Sequence, residues 1–186
     1  MIFLNTVQPI RNQKQLRTIK NNLKAKDEKY YIMFLVGINV GLRVSDVLKL
    51  KVGDILHKTH VIIIEQKTGK TKRFFVNCKL QKEIAEYIAK RGYSDEDYLI
   101  QSRKGTNKPL SRIQAYRILN ECAEGTSISE IGTHTMRKTF GYWHYKQFHD
   151  VATLQKLFNH SSPSITLRYI GITDEEIDKQ LQDFFL

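Results

Sequence analysis

Several residue types that mark common protein classes are scarce in this sequence. The 186 residues include only three prolines and two cysteines. Cys78 and Cys122 lie far apart and outside any metal-binding spacing, which favours a reducing, intracellular setting. Repeats, low-complexity tracts and Pro/Gly-rich linkers are also missing. The sequence therefore predicts one domain over residues 1–186.

Long hydrophobic runs are missing as well. The most apolar stretch, residues 30–42, is shorter than the roughly 20 apolar residues that a bilayer-spanning helix needs. It fits a buried core helix better. The first ten residues show no basic segment followed by an apolar run, so we expect no signal peptide. These features predict a cytoplasmic protein without a membrane partner.

Sequence motifs for nucleotide, metal and serine chemistry do not occur. Neither G-x-x-x-x-G-K-[ST] nor G-x-G-x-x-G is present, and neither is H-E-x-x-H or G-x-S-x-G. The six histidines form no group with metal-ligand spacing. The sequence therefore predicts neither a bound metal nor a cofactor.

Basic residues, in contrast, are abundant and unevenly placed. There are 30 basic and 19 acidic residues, for a net charge of +11. Such an excess favours DNA, RNA or an anionic membrane surface as partner, although a merely soluble basic protein would also show it. Residues 11–26 contain six basic and no acidic residues, whereas residues 171–186 contain five acids and one base. The acidic final segment is therefore expected to contact something other than a polyanion.

Hydrophobic periodicity predicts a mainly α-helical fold with one small antiparallel sheet, an α+β class. Helices are predicted over residues 12–24, 30–40, 44–50, 80–90, 111–123, 135–148 and 151–158. Ser162-Pro163 is predicted to open a further short helix, and Thr173 to cap the last one. The two strands are predicted at residues 61–65 and 71–76, joined by a turn at 67–70.

Arg, Lys, His and Tyr residues recur in four short contexts. Arg43 lies in Gly-Leu-Arg-Val-Ser-Asp at the junction of two helices, and Lys67 at the tip of the hairpin. His134 and Arg137 are three residues apart, which places both on one helical face. His160 is followed nine residues later by Tyr169.

This order of Arg, Lys, His-x-x-Arg, His and Tyr resembles the catalytic domain of the tyrosine recombinase (phage integrase) family. The resemblance extends from about residue 30 to residue 186. It implies the fold of that domain and an enzyme that cleaves and rejoins double-stranded DNA. A 3′-phosphotyrosine intermediate would make the reaction independent of metal and ATP. It also implies assembly of a homo-oligomer on DNA, nucleoid association and an origin in a mobile element.

The resemblance also implies a role for each residue. Arg43 and Arg137 would clamp the non-bridging phosphate oxygens, which two guanidiniums can do without a metal. His134 would act as general base for Tyr169, because a phenol has a pKa of about 10 and needs help to ionise. Lys67 would protonate the leaving 5′ oxygen. The expected supporting residues are His160 at the phosphate, Asp46 holding Arg43, and Lys70, Lys72 and Arg73 as DNA contacts.

The sequence departs from the family pattern in a few places. Only about 29 residues precede the first core helix, so the N-terminal domain that closes a clamp on DNA is expected to be absent, which leaves a place for an accessory DNA-binding protein. Asn159 stands where glycine is more common, and Asp46 where glutamate is. The acidic helix expected over residues 173–186 is predicted to dock on a neighbouring protomer.

Two other functions remain open at this stage. A type IB topoisomerase-like enzyme uses the same chemistry to nick and rejoin one strand. A non-catalytic DNA-binding regulator would retain the fold without cleavage. Individually, each residue also has a simpler structural explanation, but one active site accounts for all of them together.

Overall fold

The computed structural model describes residues 7–64, 71–128, 131–132 and 134–173, together with 176, 178, 182 and 185. The described part is mainly helical with one two-stranded antiparallel sheet, which confirms the predicted fold class. The helices are α1 (Gln13–Lys26), α2 (Glu28–Val40), α3 (Val44–Lys49), α4 (Cys78–Arg91), α5 (Arg112–Ala123), α6 (Thr135–Phe148), α7 (Val151–Phe158) and α8 (Pro163–Ile170). Among the described residues, no helix is long and apolar enough to cross a membrane.

Local signals in the sequence fix most helix ends. The side chain of Asn12 accepts hydrogen bonds from the backbone N–H groups of Lys14 and Gln15, which begins α1. Pro163 occupies the first turn of α8, where its missing N–H costs nothing. Gly41 ends α2 with φ +76, a left-handed conformation that favours glycine. The chain then turns sharply into α3.

Helix α2 lies at the centre of the fold. It packs against α1, α3, α4 and α6, and most of its residues are buried, as expected for a helix that is apolar on all sides. Gly37 allows the close approach of α6, because an added Cβ would lie 2.6 Å from the Sδ of Met136. This contact brings α6 against the α2–α3 junction that carries Arg43.

The sheet is a hairpin of β1 (His60–Ile64) and β2 (Thr71–Phe75), paired from His60↔Phe75 to Ile64↔Thr71. Both strands lie within a residue of the predicted bounds. Lys67 and Lys70, predicted at the hairpin tip, lie outside the described residues.

A smaller hydrophobic cluster joins α6, α7 and α8. Tyr142, Tyr145, Leu154, Phe158, Ile170 and Ile172 form its buried members. The N-terminal segment is fixed to the same unit, because Ile10 N donates to Thr139 Oγ1 and Trp143 Nε1 donates to Ile10 O, both at 2.9 Å. This packing sets the position of α8, which carries Tyr169.

Gly141 lies where α6 packs closely against Ile170 of α8 and Phe158 of α7. An added Cβ would lie 2.5 Å from Ile170 Cγ2 and 2.9 Å from Phe158 Cε2. Replacing Gly141 with Val is therefore expected to lower the free energy of unfolding by about 2 kcal/mol through overpacking, measured by urea titration. Gln147→Val, on the exposed side of the same helix, controls for the β-branched side chain. Equal stability of the two variants would contradict this assignment.

The first residues of the C-terminal segment contact the rest of the same chain. Ile172 is buried, Lys146 Nζ lies 3.5 Å from Glu176 Oε1, and Thr173 and Glu176 form a capping box with two bonds of 3.3 Å. Most of the helix expected over residues 173–186 lies outside the described residues.

Candidate active site

Four of the six predicted catalytic residues meet where α6, α7 and α8 converge on the α2–α3 junction. His134 precedes α6, Arg137 lies in its first turn, His160 follows α7, and Tyr169 lies near the end of α8. Arg43 precedes α3 and acts on this group through its charge. Lys67 lies outside the described residues.

The hydroxyl of Tyr169 contacts a histidine. His134 Nδ1 lies 3.2 Å from Tyr169 Oη, within hydrogen-bond distance. The rings of His160 and Phe158 meet the Tyr169 ring edge-on, with centroids 5.0 Å and 5.5 Å away. The phenol is thus held in one orientation, with its oxygen beside an imidazole.

Arg137 is almost completely buried and firmly anchored. It is 3% exposed, and its Nη1 donates a hydrogen bond of 2.7 Å to the carbonyl of Gly41. Its guanidinium carbon also lies 4.4 Å from the centroid of the Phe158 ring. Burial lowers the pKa of Arg137 to about 10 and Arg43 contributes, whereas Tyr169 and Asp46 oppose the shift. Arg137 therefore keeps its charge at neutral pH.

Arg43 is exposed at the start of α3, immediately beyond the turn at Gly41. Because Arg137 is bonded to the Gly41 carbonyl, the same turn anchors the Arg137 side chain and leads to Arg43. Within the described part of the chain, no hydrogen bond or ion pair joins Arg43 to Asp46. Asp46 acts on Arg137 instead, where its carboxylate favours the charged guanidinium.

The two histidines are surrounded by positive charge. Burial lowers the pKa of His134, and Arg137, Lys138 and Arg43 lower it further. Burial also lowers the pKa of His160, with contributions from Arg137, Lys72 and Arg43. Both imidazoles are therefore neutral at pH 7, and a neutral imidazole can accept a proton.

Tyr169 experiences two opposing influences. Burial raises the pKa of its phenol, whereas the charges of Arg137 and Arg43 act to lower it. Ionisation of the Tyr169 phenol would therefore cost more free energy in this site if its cationic neighbours were absent.

His160 is held by contacts that the sequence does not reveal. Its Nδ1 lies 3.1 Å from Thr166 Oγ1, and Gln155 Nε2 donates to its carbonyl at 3.2 Å. Among the described residues, no partner bonds to Nε2 of His160. That nitrogen remains available to a ligand.

The two described residues predicted as DNA contacts lie on opposite faces of β2. Lys72 is half-buried, donates a hydrogen bond of 3.3 Å to the carbonyl of Leu157 and contributes positive charge at His160. Arg73 is exposed, with Nη2 3.4 Å from His60 Nδ1. Lys72 therefore lies near the cluster around Tyr169, whereas the sequence predicted it only as a DNA contact.

Asn159 has a positive φ of 59 as it ends α7. Asparagine tolerates this left-handed conformation better than other non-glycine residues. It therefore replaces the more common glycine here without preventing the turn that leads to His160.

Sequence reasoning did not identify two buried neighbours of the site, Lys138 and Phe158. Lys138 lies four residues after His134, so helical spacing alone could have placed it on the same face.

The described residues contain no group of three or more His, Cys, Asp or Glu side chains that could hold a metal ion.

Comparison with known proteins assigns the family. The phage integrase family model matches residues 11–176. The probable integrase/recombinase YoeC of Bacillus subtilis (strain 168) is 46% identical over 172 residues, which cover 92% of this chain and 93% of YoeC. A tyrosine recombinase of Pseudothermotoga lettingae is 29% identical over 196 residues, covering 96% of this chain and 67% of the relative. The chain belongs to the phage integrase family.

Solved structures show the same fold. A crystal structure of XerA recombinase superimposes with a TM-score of 0.76 at 18% identity, over 97% of this chain and 68% of that one. A lambda integrase dimer bound to a COC′ core site gives a TM-score of 0.69 at 16% identity, over 92% and 62%. The fold is that of a tyrosine recombinase catalytic domain.

Proposed function

We propose that this chain is a site-specific DNA recombinase that cleaves and rejoins strands through a 3′-phosphotyrosine on Tyr169. The contact of 3.2 Å between His134 Nδ1 and the Tyr169 hydroxyl carries the proposal, because it pairs a nucleophile with a base. The names of the relatives, integrase/recombinase and tyrosine recombinase, support the same class of reaction. The basic net charge of +11 suits a DNA substrate.

The proposed cleavage step transfers a phosphoryl linkage from DNA to the enzyme. The oxygen of Tyr169 attacks the phosphorus while the bond to the 5′ oxygen breaks. The phenol proton passes to the neutral imidazole of His134, and Lys67 gives a proton to the departing 5′ oxygen. Because the phosphotyrosine conserves the bond energy, rejoining needs no ATP.

Two guanidiniums take the place of a metal in this proposal. Arg43 and Arg137 bind the non-bridging oxygens, where negative charge grows in the transition state. The bond from Arg137 to the Gly41 carbonyl holds that side chain before DNA arrives. Asp46 supports the pair through Arg137, and His160 hydrogen-bonds the phosphate through Nε2.

Covalent trapping without metal tests the proposal. The protein is incubated with a pool of nicked duplexes in EDTA, stopped with SDS and examined for protein-linked DNA. We expect an adduct whose yield neither Mg²⁺ nor ATP increases, and sequencing of the trapped DNA gives the target site. Salt-sensitive binding without an adduct would instead support a regulator. Relaxation of a supercoiled plasmid without exchange between two duplexes would support a topoisomerase-like enzyme.

We further propose that the acidic segment over residues 174–186 docks on a neighbouring protomer when DNA is bound. Its charge is unsuited to a phosphate backbone, and Phe185 is 96% exposed, which leaves an aromatic side chain for a partner surface. The dimeric state of the lambda integrase complex supports assembly of this kind. Deletion of residues 174–186 is expected to abolish cooperative assembly on a two-site duplex. Unchanged assembly would contradict this role.

A further inference from the structure

Lys138 is a buried lysine beside the ring of Tyr169. It lies on α6, four residues after His134, and is only 8% exposed. Its Nζ is 5.2 Å from the centroid of the Tyr169 ring. In the part of the chain that the structure describes, no hydrogen bond or ion pair engages this ammonium.

Such burial has a cost that something must offset. Lysine is rarely buried unless it is paired, and burial lowers the pKa of Lys138. Lys29 is similarly buried and lies 5.2 Å from the centroid of the Tyr30 ring, but it also has the Asp27 carboxylate 3.7 Å away. Lys138 lacks a carboxylate of that kind among the described residues, so the negative face of the Tyr169 ring is its stabilising neighbour.

This interaction strengthens when Tyr169 loses its proton. Ionisation of a phenol spreads part of a full negative charge over the ring carbons, so a cation above the ring stabilises phenolate more than phenol. Only interactions that are stronger in the transition state than in the ground state accelerate a reaction. Lys138 therefore has the geometry to favour the attacking form of the tyrosine.

The other charged or titratable groups around Tyr169 act elsewhere on it. His134 contacts the hydroxyl, and His160 meets the ring edge-on. Arg43, from the α2–α3 junction, and Arg137, from α6, act on the phenol by charge. Lys138 is the cation over the ring, and because its charge also helps to lower the pKa of His134, its removal affects the nucleophile and its base together.

We propose that Lys138 is a positioning residue for the nucleophile: its ammonium fixes the plane of the Tyr169 ring and stabilises the phenolate during attack. The inference rests on the proposed function. The bond from Tyr169 to phosphorus forms as the bond to the 5′ oxygen breaks, the phenol proton passes to His134, and Lys138 keeps its own proton. On rejoining, the same ammonium stabilises the tyrosine as leaving group, so both directions are accelerated.

The test compares charge-removing and charge-retaining variants of Lys138. The substrate is the nicked duplex identified by covalent trapping. Single-turnover adduct formation on this duplex is measured at saturating protein from about pH 6 to about pH 10. Lys138→Met and Lys138→Gln are expected to react about tenfold more slowly at neutral pH. The pH at which each variant reaches half of its maximal rate is expected to be about one unit higher than in the wild type. Lys138→Arg is expected to stay within about threefold of the wild type.

A matched control lies on α1. Lys24 Nζ is 5.0 Å from the centroid of the Tyr31 ring, so Lys24→Met removes a cation above a tyrosine that takes no part in the reaction. Its rate and pH profile are expected to be unchanged.

The possible outcomes distinguish failure of this inference from failure of the proposed function on which it rests. Unchanged rates in both neutral variants, a loss that is equal at every pH, or unfolding of both variants would give Lys138 at most a packing role and overturn the proposal. A wild-type chain that forms no Tyr169-dependent adduct would overturn the proposed function together with it.

Discussion

Replacement of Tyr169 with Phe is expected to abolish covalent capture of DNA completely. The substitution removes one hydroxyl, and the Phe158 and His160 rings that pack against the tyrosine ring remain in place. Without the oxygen there is no nucleophile beside His134 Nδ1. The measurement is the yield of SDS-resistant adduct on the trapped duplex.

DNA binding by the same variant should be nearly unchanged. Much of the affinity of a DNA-binding protein comes from phosphate contacts, and this substitution changes none of the basic residues. Tyr142→Phe and Tyr145→Phe, on the neighbouring α6, are the matched controls and should form adduct normally. An adduct that survives in Tyr169→Phe would show that another residue is the nucleophile.

Substitution of Arg137 is expected to have the second largest effect. Arg137→Ala should slow cleavage about 10³-fold or more, because loss of one preorganised oxyanion donor typically costs about 10²–10³ and the charge is lost as well. It also leaves a cavity beside Phe158 and the Gly41 carbonyl without its donor. A loss of about 3 kcal/mol in the free energy of unfolding should accompany the kinetic defect.

Arg137→Lys separates charge from geometry. Lysine keeps the positive charge but cannot offer two parallel N–H groups to a phosphate, so cleavage should remain at least about 10²-fold slow. Arg117→Lys, at an exposed position on α5, controls for the chemical change and should cleave at nearly the normal rate. Wild-type cleavage by Arg137→Lys would contradict the proposed guanidinium clamp.

The helices were predictable because their ends depend on local chemistry. The side chains of Asn12 and Ser111 cap α1 and α5, and Pro163 opens α8 as predicted. The predicted ranges for α6 and α7 agree with the structure at both ends. Capping and periodicity act over a few residues, so one sequence suffices to recognise them.

The geometry of the site was predictable only in part. The three-residue spacing predicts that His134 and Arg137 lie on one helical face, but it says nothing about what they contact. The bond from Arg137 to the Gly41 carbonyl joins residues 96 apart in sequence, and the pairing of His160 with Thr166 depends on the packing of α8 against α7. Contacts of this kind arise from tertiary packing and leave no local pattern.

The burial of Lys138 illustrates the same limit. Its neighbour Arg137 stood out because the His-x-x-Arg spacing is distinctive, whereas a lysine in a basic chain is normally expected at the surface. Only the packing of α6 against α8 shows that Lys138 is covered and that the Tyr169 ring lies beneath it.

The most direct test of the account is to map where trapped DNA is attached. The adduct formed in EDTA is digested with protease and nuclease, and the nucleotide-bearing peptide is sequenced by mass spectrometry. We predict a single modified residue, Tyr169, linked through its oxygen to a 3′ phosphate, with a free 5′ hydroxyl on the other strand end. Attachment to any other residue, or through a 5′ phosphate, would contradict the proposed chemistry.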